Sequence, residues 1–272
     1  MRKFYSAVVL LLGLSLAGCF SDGSDPNRAP RSTTSTGIDT ILGDDFDLNT
    51  DFRPLFDPLA LIMPYPNDIH GFLLAPDTDG SLNLLQPPTS FQVLSDQVNL
   101  LDGFSTYGRF TANFSETLDA SSLANPGAVT VLEVGLDPAT KATIGVVGGL
   151  IPGIDYEAVV SDDVASGGLM LEINPLIPLN PKSGYLVILT NAITDTGGTP
   201  AVPDTVYGQI KFALANGITL PDPNQDLLKQ FIGAHLQIAA AVNIDPANVV
   251  VTASFSTVSV TDALDTINAT AA

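Results

Sequence analysis

The chain has no tryptophan, one cysteine and two histidines in 272 residues. A single cysteine, Cys19, leaves nothing for an internal disulfide to close, so no disulfide framework exists. Basic side chains are scarce, 10 against 29 acidic ones, for a net charge of −19. That field repels nucleic acid, and no basic patch offsets it. With 23 glycines and 20 prolines, the composition favours strands and turns over long helices. No Walker loop, Rossmann fingerprint or, in residues 20–272, Gly-x-Ser-x-Gly nucleophile elbow is found. The two histidines, His70 and His235, have no third ligand at metal spacing.

What is present begins at the N-terminus. Arg2 and Lys3 precede the apolar run Ala7–Leu16, which is too short to be a stable transmembrane span and fits a secretory signal peptide over residues 1–18. Leu16-Ala17-Gly18-Cys19 matches the bacterial lipoprotein lipobox. The match implies cleavage before Cys19, lipidation of its sulfur and acylation of its new amine, enough acyl chains for stable membrane anchoring. Phe20 follows the cysteine rather than an aspartate, which points to the outer membrane, at its cell-surface or periplasmic face.

Residues 19–52 read as a lipid-anchored disordered linker, dominated by Ser, Thr, Asp, Asn, Gly and Pro. Its acidic end alternates Asp45, Asp47, Asn49 and Asp51 like calcium ligands, but lacks the turn glycine and the terminal glutamate of a calcium loop. A solvated linker is the expectation; calcium is the one ion the stretch could hold, and no cofactor is expected.

From residue 53 to 258 the pattern is mainly β. Candidate strands are Arg109–Phe114, Val129–Val134, Leu169–Ile173, Tyr185–Leu189, Gln209–Leu214 and Asn248–Ser256, with alternation clearest in "RFTANFS" and "VTASFST". Short strands between turns predict a β-sandwich. One segment, 223–242, instead has helical spacing: Leu228, Phe231, Ile232, His235, Ile238, Ala239 and Val242 fall on one face, with Pro223 near the start and Asn243 at the close. One amphipathic helix is therefore expected before the last strand.

Catalytic candidates are thin. His70 sits in a turn and His235 on or near the apolar helix face, where structural roles are the ordinary expectation. Ser105, in Gly103-Phe-Ser105-Thr-Tyr-Gly108, is the nearest approach to a nucleophile motif, one residue too long and in a loop. Carboxylates abound, but nothing selects a glycosidase-like pair. Pro64, Pro66, Asn67, Asp68, Asp102, Gly103, Asp195 and Gly197 read as turn-forming residues.

Several blocks, in order, carry a resemblance. "FDPLALIMPYPNDI", "DTDGSLNL", "LDGFST" and "LLKQFIGAHLQIAAAVNIDPANVVVTASFSTVSVTDAL" resemble the N-terminal domain of bacterial virulence factor lipases, the family of a Vibrio surface lipoprotein lysophospholipase. "GYLVILTNAITDTGGTP" resembles a strand-turn shared with bacterial Ig-like domains. Tyr65 stands where the family usually has Phe. The resemblance implies an Ig-like sandwich leading, through a linker beginning at residues 259–272, into an α/β-hydrolase domain. That domain's catalytic positions have no counterparts in these residues, so no catalytic residue is carried over. The expectation is a lipid-anchored, non-catalytic module that positions, or helps bind lipid substrate for, a hydrolase. Two alternatives remain open: part of a complete lipase, a carboxylic ester hydrolase, or a surface binding protein or adhesin. In the last case contacts would come from the loops holding Asp77, Asp79, Asp102 and Ser105.

Overall fold

In the computed structural model the described residues are 52–69, 82, 84, 99–137, 143–162, 167–220 and 222–259. The signal segment, Leu16, Ala17, Gly18, Cys19, Asp45, Asp47, Asn49, Asp51, His70, Asp77 and Asp79 lie outside them, as does 260–272. All described residues belong to one unit, Ser32–Ala272; the other, Met1–Arg31, lies wholly outside them.

Seven strands are described: β1 (Phe110–Asn113), β2 (Val129–Leu136), β3 (Thr143–Gly149), β4 (Tyr156–Val160), β5 (Met170–Pro175), β6 (Gly184–Thr190) and β7 (Val249–Ser256). They form two antiparallel sheets, ordered β1-β5-β4 and β3-β2-β6-β7, around one apolar core. This is the expected β-sandwich. Alternation predicts β1, where Phe110 and Ala112 turn inward. β6 and β7 are instead buried at every position, because both of their faces are covered.

Two helices, α1 (Thr205–Ala215) and α2 (Pro223–Ala241), supply part of that cover. Tyr207 of α1 and His235 of α2 both reach Thr252 on β7. α2 lies where helical spacing places it. Asp222 caps its first turn ahead of Pro223, and Asn243, at φ 63°, takes the left-handed conformation just beyond its end.

α1 overturns the strand expected at Gln209–Leu214. A strand would bury Ile210, Phe212 and Leu214 together, but Phe212 is exposed while Tyr207, Ile210 and Ala213 are buried, three residues apart. Asp204 starts the helix by accepting the Val206 N–H. Among the described residues the expected helix is therefore joined by a second. β3 and β4 go unforeseen: β3 reads "TIGVVGG", glycine-rich and largely solvent-facing. Phe52, the last residue of the expected linker, is buried and stacks on Phe114 with ring centroids 5.2 Å apart.

The β6–β7 register sets two ends. Thr190 pairs with Val249 at one, Gly184 with Ser256 at the other. The chain enters at the first. Ile193, just past β6, pairs with Ala201, and the next residue, Val202, donates its N–H to the Phe52 carbonyl. It leaves β7 at the second.

Candidate functional site

Polar side chains concentrate first in a buried seam on the helix-facing side of β7. Thr252, Ser254 and Ser256 alternate onto this side. Tyr207 Oη and His235 Nδ1 lie 2.8 and 2.9 Å from Thr252 Oγ1. Ser256 Oγ donates to Asp68 Oδ1 at 3.2 Å, and the Asp68 N–H donates to the Ser254 carbonyl at 2.8 Å. Asn67 Oδ1 accepts the Ile69 N–H. The "PYPND" turn is thus pinned to the outer edge of β7, covering backbone that would otherwise be an open sheet edge. Burial drives the His235 pKa down to about 3, so its ring is neutral at ordinary pH. His235 is fully buried, so it cannot meet a substrate, and its role here is to fasten α2 to β7.

The second concentration lies at the exit end, and it is exposed. Gly103 and Phe104 run alongside the chain as it leaves β7. The Phe104 N–H donates to the Ser256 carbonyl, and the Val258 N–H donates back to the Phe104 carbonyl. This passage needs glycine at 103: a Cβ there would sit 2.4 Å from the Thr257 carbonyl carbon. Asp102 Oδ1 then accepts the Ser259 N–H at 2.9 Å. Burial raises the Asp102 pKa, but the Ser259 bonds and the Lys182 charge outweigh it and leave a net lowering. Thr257 Oγ1 donates to the Asn180 carbonyl at 2.6 Å, and the Leu179 N–H donates to the Thr106 carbonyl at 2.8 Å. The Tyr65 ring meets Phe104 edge-on at 5.5 Å.

Four segments, around 65, 99–107, 176–183 and 257–259, are thereby laced together. Their outer surface carries Tyr65, Leu100, Leu101, Tyr107, Leu176 and Ile177, all exposed, Leu100 at 71% and Tyr107 at 62%. The entrance-end loops 114–128, 190–204 and 243–248 carry none of the exposed large apolar side chains.

Of the expected site residues, Asp102 and Ser105 fall on the exit end. Asp102 is the clamp on Ser259, and Ser105 Oγ accepts the Tyr107 N–H at 3.1 Å, with His235 on the buried seam instead of beside it. Sequence reading does not single out the apolar side chains; the signal available is leucine, isoleucine and tyrosine standing inside turn-rich stretches, "NLLDGFSTYG" and "NPLIPLNP". Among the described residues no group of three or more His, Cys, Asp or Glu could hold a metal ion, and no helix is long and apolar enough to cross a membrane.

A family model described as bacterial virulence factor lipase N-terminal matches residues 94–272. No curated protein matches. Among solved structures, the N-terminal part of the bacterial S-layer protein SbsC aligns with 19% identity over 35% of this chain and 18% of that one, at a TM-score of 0.23. Domains 1–6 of the surface layer protein SbsC align with 20% identity over 36% of this chain and 11% of that one, at 0.22. The chain therefore spans less than a fifth of the length of either.

Proposed function

The chain belongs to the bacterial virulence factor lipase N-terminal family, and from that premise we propose that it is a lipid-anchored module that holds a lipase or lysophospholipase domain at the bacterial outer membrane. The family match carries the reading. The Leu16-Ala17-Gly18-Cys19 sequence supports the anchor, with Cys19 as the acylated first residue of the mature chain. In this reading the described residues serve as the scaffold, which is supported by the one described histidine being buried against Thr252 and by the exposed Ser105 hydroxyl accepting a backbone N–H of its own loop.

Two measurements test this. Cys19→Ser should abolish palmitate labelling and move the protein out of the membrane fraction; a variant still labelled and sedimenting with membranes overturns the anchor. Purified residues 20–272 should not hydrolyse lysophospholipid or a short-chain nitrophenyl ester. Hydrolysis that disappears with Ser105→Ala would make the module itself an enzyme.

A further inference from the structure

We propose that the loop from Asp57 to Ile62 is a membrane-contacting tip, whose two exposed leucines enter the surface of a zwitterionic bilayer. The inference rests on the functional reading above, which brings a bilayer near, and adds the part of the module that meets it.

The stem of this loop is fixed to β1 on both sides. The Leu55 N–H donates to the Asn113 carbonyl, and Tyr65 and Thr111 exchange two backbone bonds, at 2.9 and 2.7 Å. Between them Phe56 is buried, its ring edge-on to Tyr207 at 5.3 Å. Asp57 and Ile62 close the loop with backbone bonds of 2.6 and 3.0 Å, and Asp57 Oδ1 accepts the Ala60 N–H. This closure presents Leu59, Ala60 and Leu61, consecutive in sequence and all exposed, Leu59 at 62% and Leu61 at 42%. Leu61 is held at φ 59°, a left-handed conformation that glycine adopts freely and leucine only with strain. Glycine would serve the turn better, so the leucine side chain answers to something outside the module.

Size and position select the occupant. Two leucines and an alanine fall far short of the ~800 Å² that each partner gives a stable protein–protein interface. A bilayer asks for less, because a few apolar side chains at the headgroup boundary already gain burial. Only residues 20–51 separate Cys19 from Phe52, and the tip follows directly after Phe52. On the anchor reading it therefore meets the bilayer at an effective concentration on the order of millimolar, where a weak contact suffices. The run "PLALIMPYP", 58–66, carries no charge, so entry buries none. The net charge of −19 then sets the headgroup preference, zwitterionic over anionic.

The chain has no tryptophan, so Leu59→Trp places a single fluorescent reporter at the tip. In the acylated mature chain, reconstituted into phosphatidylcholine vesicles, its emission should move to the blue and be quenched about twofold or more by brominated acyl chains. Ile144→Trp, comparably exposed on β3, should do neither. Purified residues 20–272, without the anchor, should bind the same vesicles weakly and phosphatidylglycerol vesicles more weakly still. Leu61→Gly, which relieves the strain, should cut that binding about tenfold with no loss of thermal stability. Solvent-like emission from Leu59→Trp in the acylated chain overturns the tip and leaves the family and anchor intact. A preference for phosphatidylglycerol overturns it too. A blue shift without vesicles, with a dimer mass by light scattering, assigns the tip to a second copy. One that appears only with a hydrolase domain present assigns it to that domain, and either result overturns the proposal. If Cys19 carries no lipid, the functional reading fails. Vesicle binding by residues 20–272 then decides the tip alone: binding lost in Leu61→Gly supports it, and no binding overturns it.

Discussion

The two ends of the sandwich are closed by different means. At the entrance, aspartates do the work: Asp119 accepts the Ser121 N–H, Asp195 the Gly197 and Thr199 N–H groups, Asp204 the Val206 N–H and Asp245 the Ala247 N–H. The loops 114–128, 190–204 and 243–248 that hold these turns expose no large apolar side chain. At the exit, closure is by backbone pairing between distant segments, and the surface is apolar. The difference shows that much of the chain's acidity at one end is local turn chemistry, since a carboxylate that accepts backbone N–H groups is satisfied where it stands. The Asp195 pKa is lowered chiefly by its bond from Thr199, as that role requires. At the exit end a carboxylate, Asp102, also accepts a backbone N–H, that of Ser259, but the neighbouring closure is backbone pairing beneath exposed hydrophobic side chains.

Two glycines break the comparison most sharply. Gly103→Ala at the exit drives a Cβ into the Thr257 backbone, which is not a flexible side-chain tip that could move aside. We expect a loss of about 3 kcal/mol. Gly198→Ala at the entrance meets no atom within 4 Å but sits at φ 83°, so only backbone strain opposes it, about 1 kcal/mol. Urea unfolding of both variants checks the ratio; equal losses would mean that the exit clamp can shift past Thr257.

Much of this architecture is legible in the residues, and the failures have physical causes. β1, β2, β5, β6, β7 and α2 follow from alternation, apolar runs and a capped helical stripe. α1 is misread because "QIKFAL" alternates over six residues, and only the longer window from Asp204 to Ala215 shows Tyr207, Ile210 and Ala213 on one helical face. β3 escapes because glycine and outward-facing valine give it no inward pattern. The exit surface is legible only in part. "LDGFST" declares a turn, but nothing local says that Gly103 must pass Thr257, a contact between residues 154 apart in sequence. Exposure of Tyr107 and Leu100 is likewise a tertiary property, decided by which segments converge beneath them.

Acid tests the seam that joins the two ends along β7. His235 has a folded pKa of about 3 against 6.5 for the free side chain. The unfolded chain therefore binds a proton that the folded one refuses between these values. Stability from this group is complete above pH 6.5 and falls as pH drops, by roughly 1 kcal/mol per unit. Between pH 6.5 and 5, before most carboxylates titrate, this slope should dominate. His235→Gln, which cannot take up that proton, should flatten it. An unchanged slope in the variant would show that the ring is hydrated and not sealed between α2 and β7.

At the entrance, Asp204 carries two roles that substitution separates. It caps α1 and pairs with Arg53 Nε at 3.3 Å. Burial nonetheless raises its pKa despite the arginine, so the charge itself is held at a cost. Asp204→Asn keeps the cap and should cost under about 1 kcal/mol, while Asp204→Ala removes both roles and should cost about 1–2 kcal/mol. Thermal melts of the pair rank the roles; equal losses would assign the effect to the ion pair.

The smallest effect should come from the surface that distinguishes the exit. Leu100→Ser and Tyr107→Ser remove side chains that are mostly in solvent in this unit. Each should change the stability of residues 20–272 by under about 0.5 kcal/mol, the ordinary range for exposed positions. Phe104→Ser, one turn away but buried between Tyr65 and Phe255, should cost several times more, about 3 kcal/mol. The contrast separates frame from surface. Side chains that stabilise nothing in the module, held outward by a frame that tolerates no added Cβ at Gly103, are free to serve an outside partner. If Leu100→Ser or Tyr107→Ser instead destabilised the isolated module by more than about 1 kcal/mol, these residues would belong to its own core, and the two ends would differ only in how their turns are tied.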